Sequence, residues 1–195
     1  MVKAANEAGF DACVICYRGQ GGIKLSTPKM YAYNGYQDVL EPMKHVYETY
    51  CKPINRKCFS VGISMGANIM TNLLGEAGDA CFLTASYIIQ CPMQIWETDV
   101  PMRDSLWGMY DKSMGSNMFN VYYNHNDVLK KHLKEKHNID LTEFKNSKDF
   151  NKPSLLHFDD IVSSKLYGYK DKADYYYQAS SVHRMPNIKI PTIFM

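Results

Sequence analysis

Apolar residues in the first half of the chain follow two different periodicities. Short unbroken apolar runs predict buried strands, whereas apolar residues spaced three or four positions apart predict amphipathic helices. Strands that alternate with helices indicate an α/β fold with a doubly wound, mostly parallel sheet and helices on both faces. The predicted elements are a helix end at 2–8 capped by Gly9, strands at 11–17, 58–63 and 86–91, and helices at 36–50 and 65–76, the last ended by Gly75 and Gly78.

The pattern changes after Pro92. Residues 93–154 contain no convincing strand and carry helical segments with many large apolar side chains. They predict a helical cap insertion over the carboxyl edge of the sheet, although ordinary core packing needs the same composition. The basic piece at 127–137 is predicted to be a solvated helix face rather than a lipid-headgroup contact.

Residues 155–195 are predicted to return to the core, with helices to about 179 and a strand at 192–195. The chain therefore divides into a core sheet half at 1–92, a cap at 93–154 and the returning segment at 155–195. A helix stands first with nothing before it, and a strand of four residues stands last. We therefore expect the fold to be truncated at both ends.

Composition narrows the class of protein. The chain has 195 residues, 46% of them hydrophobic and 22% charged, as in one globular domain. A net charge of +2 is too small to indicate nucleic acid as a partner. Neither a signal peptide nor a stretch long enough to span a bilayer is visible, so an intracellular location is expected; membrane association through a segment outside this sequence is left open.

The cysteines also favour a reducing compartment. Most of the six fall in or beside predicted strands, which predicts free, buried thiols. Cys13 and Cys16 have the spacing of a redox or metal pair. Because they lie in a predicted strand, they would point to opposite faces, so we expect neither role and no cofactor.

The candidate chemistry lies at Gly62-Ile63-Ser64-Met65-Gly66, between the second strand and its helix. G-x-S-x-G in this context is the pattern of a nucleophile elbow, in which a sharp turn lifts the serine above the sheet. We predict that Ser64 is the nucleophile and that the backbone N–H of Met65 faces a developing oxyanion. The alternative is an ordinary strand-to-helix turn with a buried serine.

A serine nucleophile needs a base and an orienting acid, which in a doubly wound hydrolase follow it in the order acid, histidine. No histidine here follows a strand after an acid, so packing or surface roles are expected for His45, His125, His132, His137, His157 and His183. Asp159 and Asp160 are predicted to be helix N-terminal or capping residues. The acid position would come after the strand at 192–195, and the base further still.

Several ordered blocks of the chain resemble one family. They are Tyr17-Arg18-Gly19 with the Leu-Ser-Thr-Pro-Lys-Met-Tyr stretch at 25–31, the elbow at 62–68 with 74–78, Phe158-Asp159-Asp160 with later pieces up to Ser181, and Ile190-Pro191-Thr192. The blocks resemble the α/β-hydrolase-domain family, in the branch of YheT-type esterases, plant embryogenesis-associated hydrolases, and vertebrate acylglycerol lipases and phospholipases.

The resemblance implies a serine hydrolase of carboxylic esters, with glycerolipid or phospholipid acyl esters as substrates and an acyl-enzyme on Ser64. It also implies a second oxyanion donor before Met1 and an acid and a histidine beyond Met195. The alternative hypothesis is a non-catalytic, hydrolase-like subunit of a larger assembly, since acid and histidine are absent from these residues. A lipid or small ester is the expected ligand, and a membrane surface and protein partners are left open.

Overall fold

Three parallel strands form the sheet of the computed structural model, which describes residues 1–141 and 154–195. The strands are β1 (Phe59–Ile63), β2 (Ala85–Ile89) and β3 (Thr192–Phe194), and they pair in chain order. Ser60 lies opposite Ser86, and Ser86 lies opposite Thr192. These strands confirm three of the predictions, with boundaries shifted by no more than two residues.

Helices fill most of the remaining described chain. They are α1 (Val2–Glu7), α2 (Tyr36–Val46), α3 (Met65–Ala77), α4 (Asp99–Asp104), α5 (Met109–Asn124), α6 (Asn126–His137), α7 (Leu155–Phe158), α8 (Ser164–Leu166) and α9 (Lys172–Ala179). Two π-helical turns, Tyr47–Cys51 and Asp159–Ser163, continue α2 and join α7 to α8. Short 3₁₀ turns occupy Lys52–Ile54, Gly78–Ala80, Ile95–Thr98, Ser105–Gly108, Ser181–His183 and Met185–Asn187.

The helical prediction for the chain after Pro92 is confirmed as far as residue 141, where the described residues form helices and no strand. The predicted cap residues 142–153 lie outside the described residues. The division into a core half, a cap and a returning segment stays a prediction.

Helix α3 packs against the sheet and is buried from Ala67 to Gly75. Its apolar residues meet Val39 and Met43 of α2 and Ile88 of β2 in one cluster. A second cluster joins α5, α6 and α7, with Phe119, Leu129 and Phe158 at its centre. The sheet and the helical region after it therefore have separate apolar cores.

The strand predicted at 11–17 is wrong. Residues 11–17 form no strand, and most of them are exposed, including Val14. A β-strand needs a hydrogen-bonded neighbour, and none of the described residues pairs with this segment. Local apolar character alone could not reveal that.

The two faces of β1 are not equally buried, although helices were expected on both faces of the sheet. Phe59, Val61 and Ile63 are exposed, whereas Ser60 and Gly62 face the core. Among the described residues, helix α3 covers one face of this strand, and Phe10 makes an edge-to-face contact with Phe59 on the other.

All six cysteines are free, but Cys13 and Cys16 are exposed, so the prediction of buried thiols is wrong for these two. Cys51 is buried. Burial, with the nearby Cys51, raises the pKa of the Cys58 thiol to about 11, which keeps it protonated at neutral pH. Within 1–141 and 154–195, no group of three or more His, Cys, Asp or Glu side chains could hold a metal ion.

In the part of the chain that the structure describes, no helix has both the length and the hydrophobicity needed to cross a bilayer.

Gly75 lies inside α3 and does not end it, contrary to the sequence prediction, while Gly78 has a φ of 48° directly after the helix. A β-carbon at Gly75 would lie 2.1 Å from the carbonyl oxygen of Arg184. The glycine is therefore required by the close approach of the 3₁₀ turns that precede β3.

We expect Gly75→Ala to lower the free energy of unfolding by about 1–3 kcal/mol, because overpacking against backbone outweighs the better helix propensity of alanine. Urea denaturation followed by circular dichroism measures the change. Lys44→Ala, at an exposed position of α2, is the matched control and should stay within about 0.5 kcal/mol of the wild type. A Gly75→Ala protein as stable as the control would contradict the packing argument.

Candidate active site

Ser64 stands at the turn between β1 and α3, at the carboxyl end of the strand. Its backbone has φ 53° and ψ −120°, which is strained for a residue with a side chain. The backbone N–H of Ser64 donates to the carbonyl of Ile89 (3.0 Å), which holds the turn against the end of β2. Ser64 is exposed, so the alternative of a turn with a buried serine does not describe this site.

Two glycines allow this turn. A β-carbon at Gly62 would lie 2.7 Å from the carbonyl oxygen of Gly66 and 2.9 Å from Cα of Ala67. A β-carbon at Gly66 would lie 2.8 Å from the hydroxyl of Tyr17. The strand and the helix therefore approach closely at Gly62, as a nucleophile elbow requires, while at Gly66 the absence of a side chain leaves room for the hydroxyl of Tyr17.

Helix α3 begins at Met65, so the Met65 N–H lies at the positive end of the helix dipole, directly after the Ser64 carbonyl. The Ser64 carbonyl accepts from the backbone N–H groups of Ala67 (2.9 Å) and Asn68 (3.2 Å), which closes the first turn of the helix. The role of the Met65 N–H as an oxyanion donor stays a prediction.

Asn68 ties the first turn of α3 to two distant segments. Its Nδ2 donates to the carbonyls of Tyr33 (3.1 Å) and Ala179 (2.9 Å), and its Oδ1 accepts from the backbone N–H of Ser181 (3.0 Å). The side chain is fully buried, and both of its polar atoms are bonded. It therefore fixes the loop before α2 and the end of α9 around the serine turn.

A cavity of about 600 Å³ opens beside Ser64 and Met65. Its walls combine the loop before α2, α4, α5, the α7 region and α9. The lining is rich in tyrosine and methionine, and includes Tyr17, Tyr31, Tyr33, Tyr110, Tyr175, Tyr176, Met102, Met114 and Met118. Among the described residues that line it, none is histidine, lysine or arginine.

The histidines lie elsewhere. His125 Nε2 is 2.8 Å from the carbonyl oxygen of Gly19, and the ring of His183 stacks on Trp96. His132 and His137 contact each other on α6. Within the described chain, no histidine or carboxylate is hydrogen-bonded to the Ser64 hydroxyl.

Asp159 lines the same cavity and is 2% exposed. Its carboxylate accepts from the hydroxyls of Ser163 (2.6 Å) and Tyr176 (2.8 Å). Burial raises the pKa of Asp159 to about 6, against the opposing effects of these two hydrogen bonds and of Lys172, while Asp99 adds to the rise. Asp159 therefore changes charge near neutral pH inside the cavity.

Curated proteins similar to this chain are found over nearly its full length. The monoacylglycerol lipase of Saccharomyces cerevisiae is 27% identical over 94% of the chain, and an abhydrolase domain-containing protein of Dictyostelium discoideum is 28% identical over 99%. Phospholipase ABHD3 of Mus musculus is 24% identical over 99%. The chain spans 39%, 46% and 44% of the lengths of these three relatives. No family model and no solved structure matches.

The chain is similar to α/β-hydrolase-domain proteins. Its parallel sheet with flanking helices agrees with that fold. The likeness confirms the family resemblance inferred from the sequence blocks.

Arg18 and residues 25–31 belong to the same family-like block of the sequence, and in the structure they are in direct contact. The Arg18 guanidinium forms a bidentate ion pair with Asp38 of α2 and donates to the hydroxyl of Thr27 (3.0 Å). It thereby anchors the loop that presents Tyr17, whose ring stacks on Tyr31 in the cavity wall. Sequence reasoning gave no role to Arg18, and only the ordered blocks pointed to it.

The prediction that Asp159 and Asp160 are helix N-terminal or capping residues agrees with the structure only in part. The N-cap of α7 is Ser154, whose hydroxyl accepts from the backbone N–H of His157, and the N-cap of α9 is Asp171. Asp159 and Asp160 lie in the first turn of the π helix Asp159–Ser163, as predicted for helix N-terminal residues. The Asp159 carboxylate accepts hydrogen bonds from side chains and does not act as a cap. Asp160 is exposed and accepts from the backbone N–H of Lys172 (3.2 Å). A π turn between two apolar helices has no recognisable pattern in the sequence, so the burial of the Asp159 carboxylate was not predicted.

We expect Asp159→Asn to remove a pH dependence of stability. The pKa of Asp159 is higher in the folded protein than the value of about 4 expected in the unfolded chain, so its protonation stabilises the fold as pH falls. Between about pH 7 and pH 4, the free energy of unfolding of the wild type should rise relative to that of the variant by about 2 kcal/mol. Urea denaturation at a series of pH values measures this difference.

Asp160→Asn is the matched control, because it removes the neighbouring exposed carboxyl and keeps Asp159. It should follow the wild-type pH dependence. A constant difference between Asp159→Asn and the wild type across this range would show that burial does not shift this group.

Proposed function

We propose that this chain forms the core of a serine hydrolase that cleaves carboxylic esters of lipids, with Ser64 as the nucleophile. The observation that carries the proposal is the strained, exposed Ser64 at the start of α3, facing a cavity lined largely by apolar and aromatic side chains. Backbone strain concentrates at functional sites, and no packing requirement accounts for a serine at this position.

The proposed reaction follows from this geometry. The Ser64 hydroxyl attacks the ester carbonyl carbon and gives its proton to a general base. The Met65 N–H and the N-terminus of α3 stabilise the negative oxygen of the tetrahedral intermediate. The protonated base gives this proton to the departing alcohol, which leaves an acyl-enzyme. Water then attacks the acyl carbon as the base takes its proton, and return of that proton to the Ser64 oxygen releases the carboxylic acid. The base and its orienting acid are left unassigned, since no histidine lines the described cavity wall.

The cavity supports a lipid acyl group as the part of the substrate that enters it. Methionine and leucine side chains supply adaptable apolar contacts, and the volume of about 600 Å³ falls in the usual range for small-molecule sites. The described lining carries Asp159 and no basic side chain, which disfavours an anionic headgroup inside the cavity. The names of the relatives, monoacylglycerol lipase and phospholipase, agree with esters of this class.

We expect Ser64→Ala to abolish labelling by a fluorophosphonate probe, which reacts with activated serines, and to lower ester hydrolysis by a factor on the order of 10³ or more. Labelling of the complete polypeptide, read by in-gel fluorescence or intact mass, measures the first effect. Hydrolysis of p-nitrophenyl butyrate and of monooleoylglycerol measures the second.

Ser26→Ala, in an exposed loop that does not line the cavity, is the matched control and should label like the wild type. Undiminished labelling of Ser64→Ala would overturn the assignment of the nucleophile. A folded wild-type protein that neither labels nor hydrolyses any of these esters would favour the non-catalytic subunit.

A further inference from the structure

The segment between α4 and α5 exposes an unusual concentration of large apolar side chains. Trp107 is 86% exposed, and Leu106 and Met109 are each 62% exposed. Tyr110 and Val100 beside them are also more than half exposed. We call these five residues the apolar tip. Water contact over so much contiguous apolar surface is unfavourable, and such patches mark interaction sites.

The backbone holds the apolar tip outward at a conformational cost. Leu106 and Trp107 both have left-handed backbone angles, with φ of 47° and 54°, and Gly108 follows at 72°. Two consecutive residues with side chains in this region are uncommon, because their β-carbons crowd the backbone. Gly108 is buried under Arg103, so the turn is fixed from below while Trp107 points away from the protein core.

The apolar tip lies at the mouth of the Ser64 cavity. Tyr110 is exposed and also lines the cavity, so it stands on the rim. Met102 on α4 and Met114 on α5 continue the apolar surface from the rim into the cavity. The exposed surface and the lining of the cavity are therefore continuous.

The charges around the apolar tip nearly balance. Arg103 pairs with Asp104 (3.0 Å), both exposed, and the aliphatic part of Lys112 lies near Gly108. This arrangement offers no strong field for an anionic partner. Tryptophan and tyrosine favour the membrane–water interface, and nearby lysine and arginine can keep their charges in the headgroup layer.

We propose that the apolar tip inserts into the interfacial layer of a phospholipid membrane and places the cavity mouth against the lipid. The proposal goes beyond the hydrolase function, since membrane binding by this surface needs no chemistry at Ser64. Attraction comes from the burial of apolar surface, so it depends little on salt and works on zwitterionic lipid.

The chain has two tryptophans, which allows a direct test. Trp96 is partly buried, stacks on Tyr177 and His183, and donates to Glu97 (3.0 Å). In Trp96→Phe, emission comes from Trp107 alone, and phosphatidylcholine vesicles should shift it to shorter wavelength. In Trp107→Phe, emission comes from Trp96 alone, and the same vesicles should leave it unchanged. Trp96→Phe combined with Ser64→Ala should shift like Trp96→Phe, which separates membrane binding from catalysis.

Vesicle co-sedimentation gives a second readout. We expect Trp107→Asp to weaken partitioning onto phosphatidylcholine vesicles by about tenfold or more, because it replaces buried apolar area with a charge. Ile54→Asp, at another exposed apolar position, on the turn Lys52–Ile54, is the control and should bind like the wild type.

Three results would overturn the proposal. The first is a Trp107 emission that vesicles do not change. The second is a shift that appears without vesicles as protein concentration rises, which would assign the apolar tip to contact between two copies of the chain. The third is an equal loss of vesicle binding in Ile54→Asp and Trp107→Asp, which would indicate nonspecific adsorption.

Discussion

The close approach of β1 to α3 is the constraint on which the rest of the site depends. Gly62 has no room for a β-carbon against the backbone of Gly66 and Ala67, and the chain passes from strand to helix within one residue. That residue, Ser64, takes a positive φ and is thereby raised clear of the sheet. The beginning of α3 and the entrance of the cavity are both set by this turn.

Polar contacts, more than apolar ones, determine what surrounds that turn. Asn68 and Asn72 both donate to the carbonyl of Ala179, and Asn68 also reaches Tyr33 and Ser181. Apolar side chains can repack with little loss, whereas a buried amide left without partners costs about 1–3 kcal/mol. The amides of α3 therefore give the cavity walls one preferred position relative to Ser64.

Local features of the fold were predictable from the sequence, and features that depend on distant partners were not. The turn at Ser64 was found because its glycines, strand and helix are neighbours in the chain. The strand at 11–17 was expected wrongly, because strand formation depends on a second segment that the local pattern does not contain. The burial of Asp159 was not predicted, because its partners, Ser163 and Tyr176, come together only when the π turn and α9 are packed against each other. The role of Asn68 likewise depends on residues more than a hundred positions away.

The sequence separation of these amide contacts bears on how the protein is made. Asn68 is 111 residues from Ala179 and 113 from Ser181. At about 5–20 residues per second, the ribosome releases α3 on the order of 10 s before it releases the groups that its amides will bond. During that interval the apolar residues of α3 can already pack against β1, whereas its asparagine side chains still hydrogen-bond to water. The helix is therefore not yet fully desolvated. Until those groups are synthesised, helix α3 is the part of the nascent chain that can aggregate or bind chaperones.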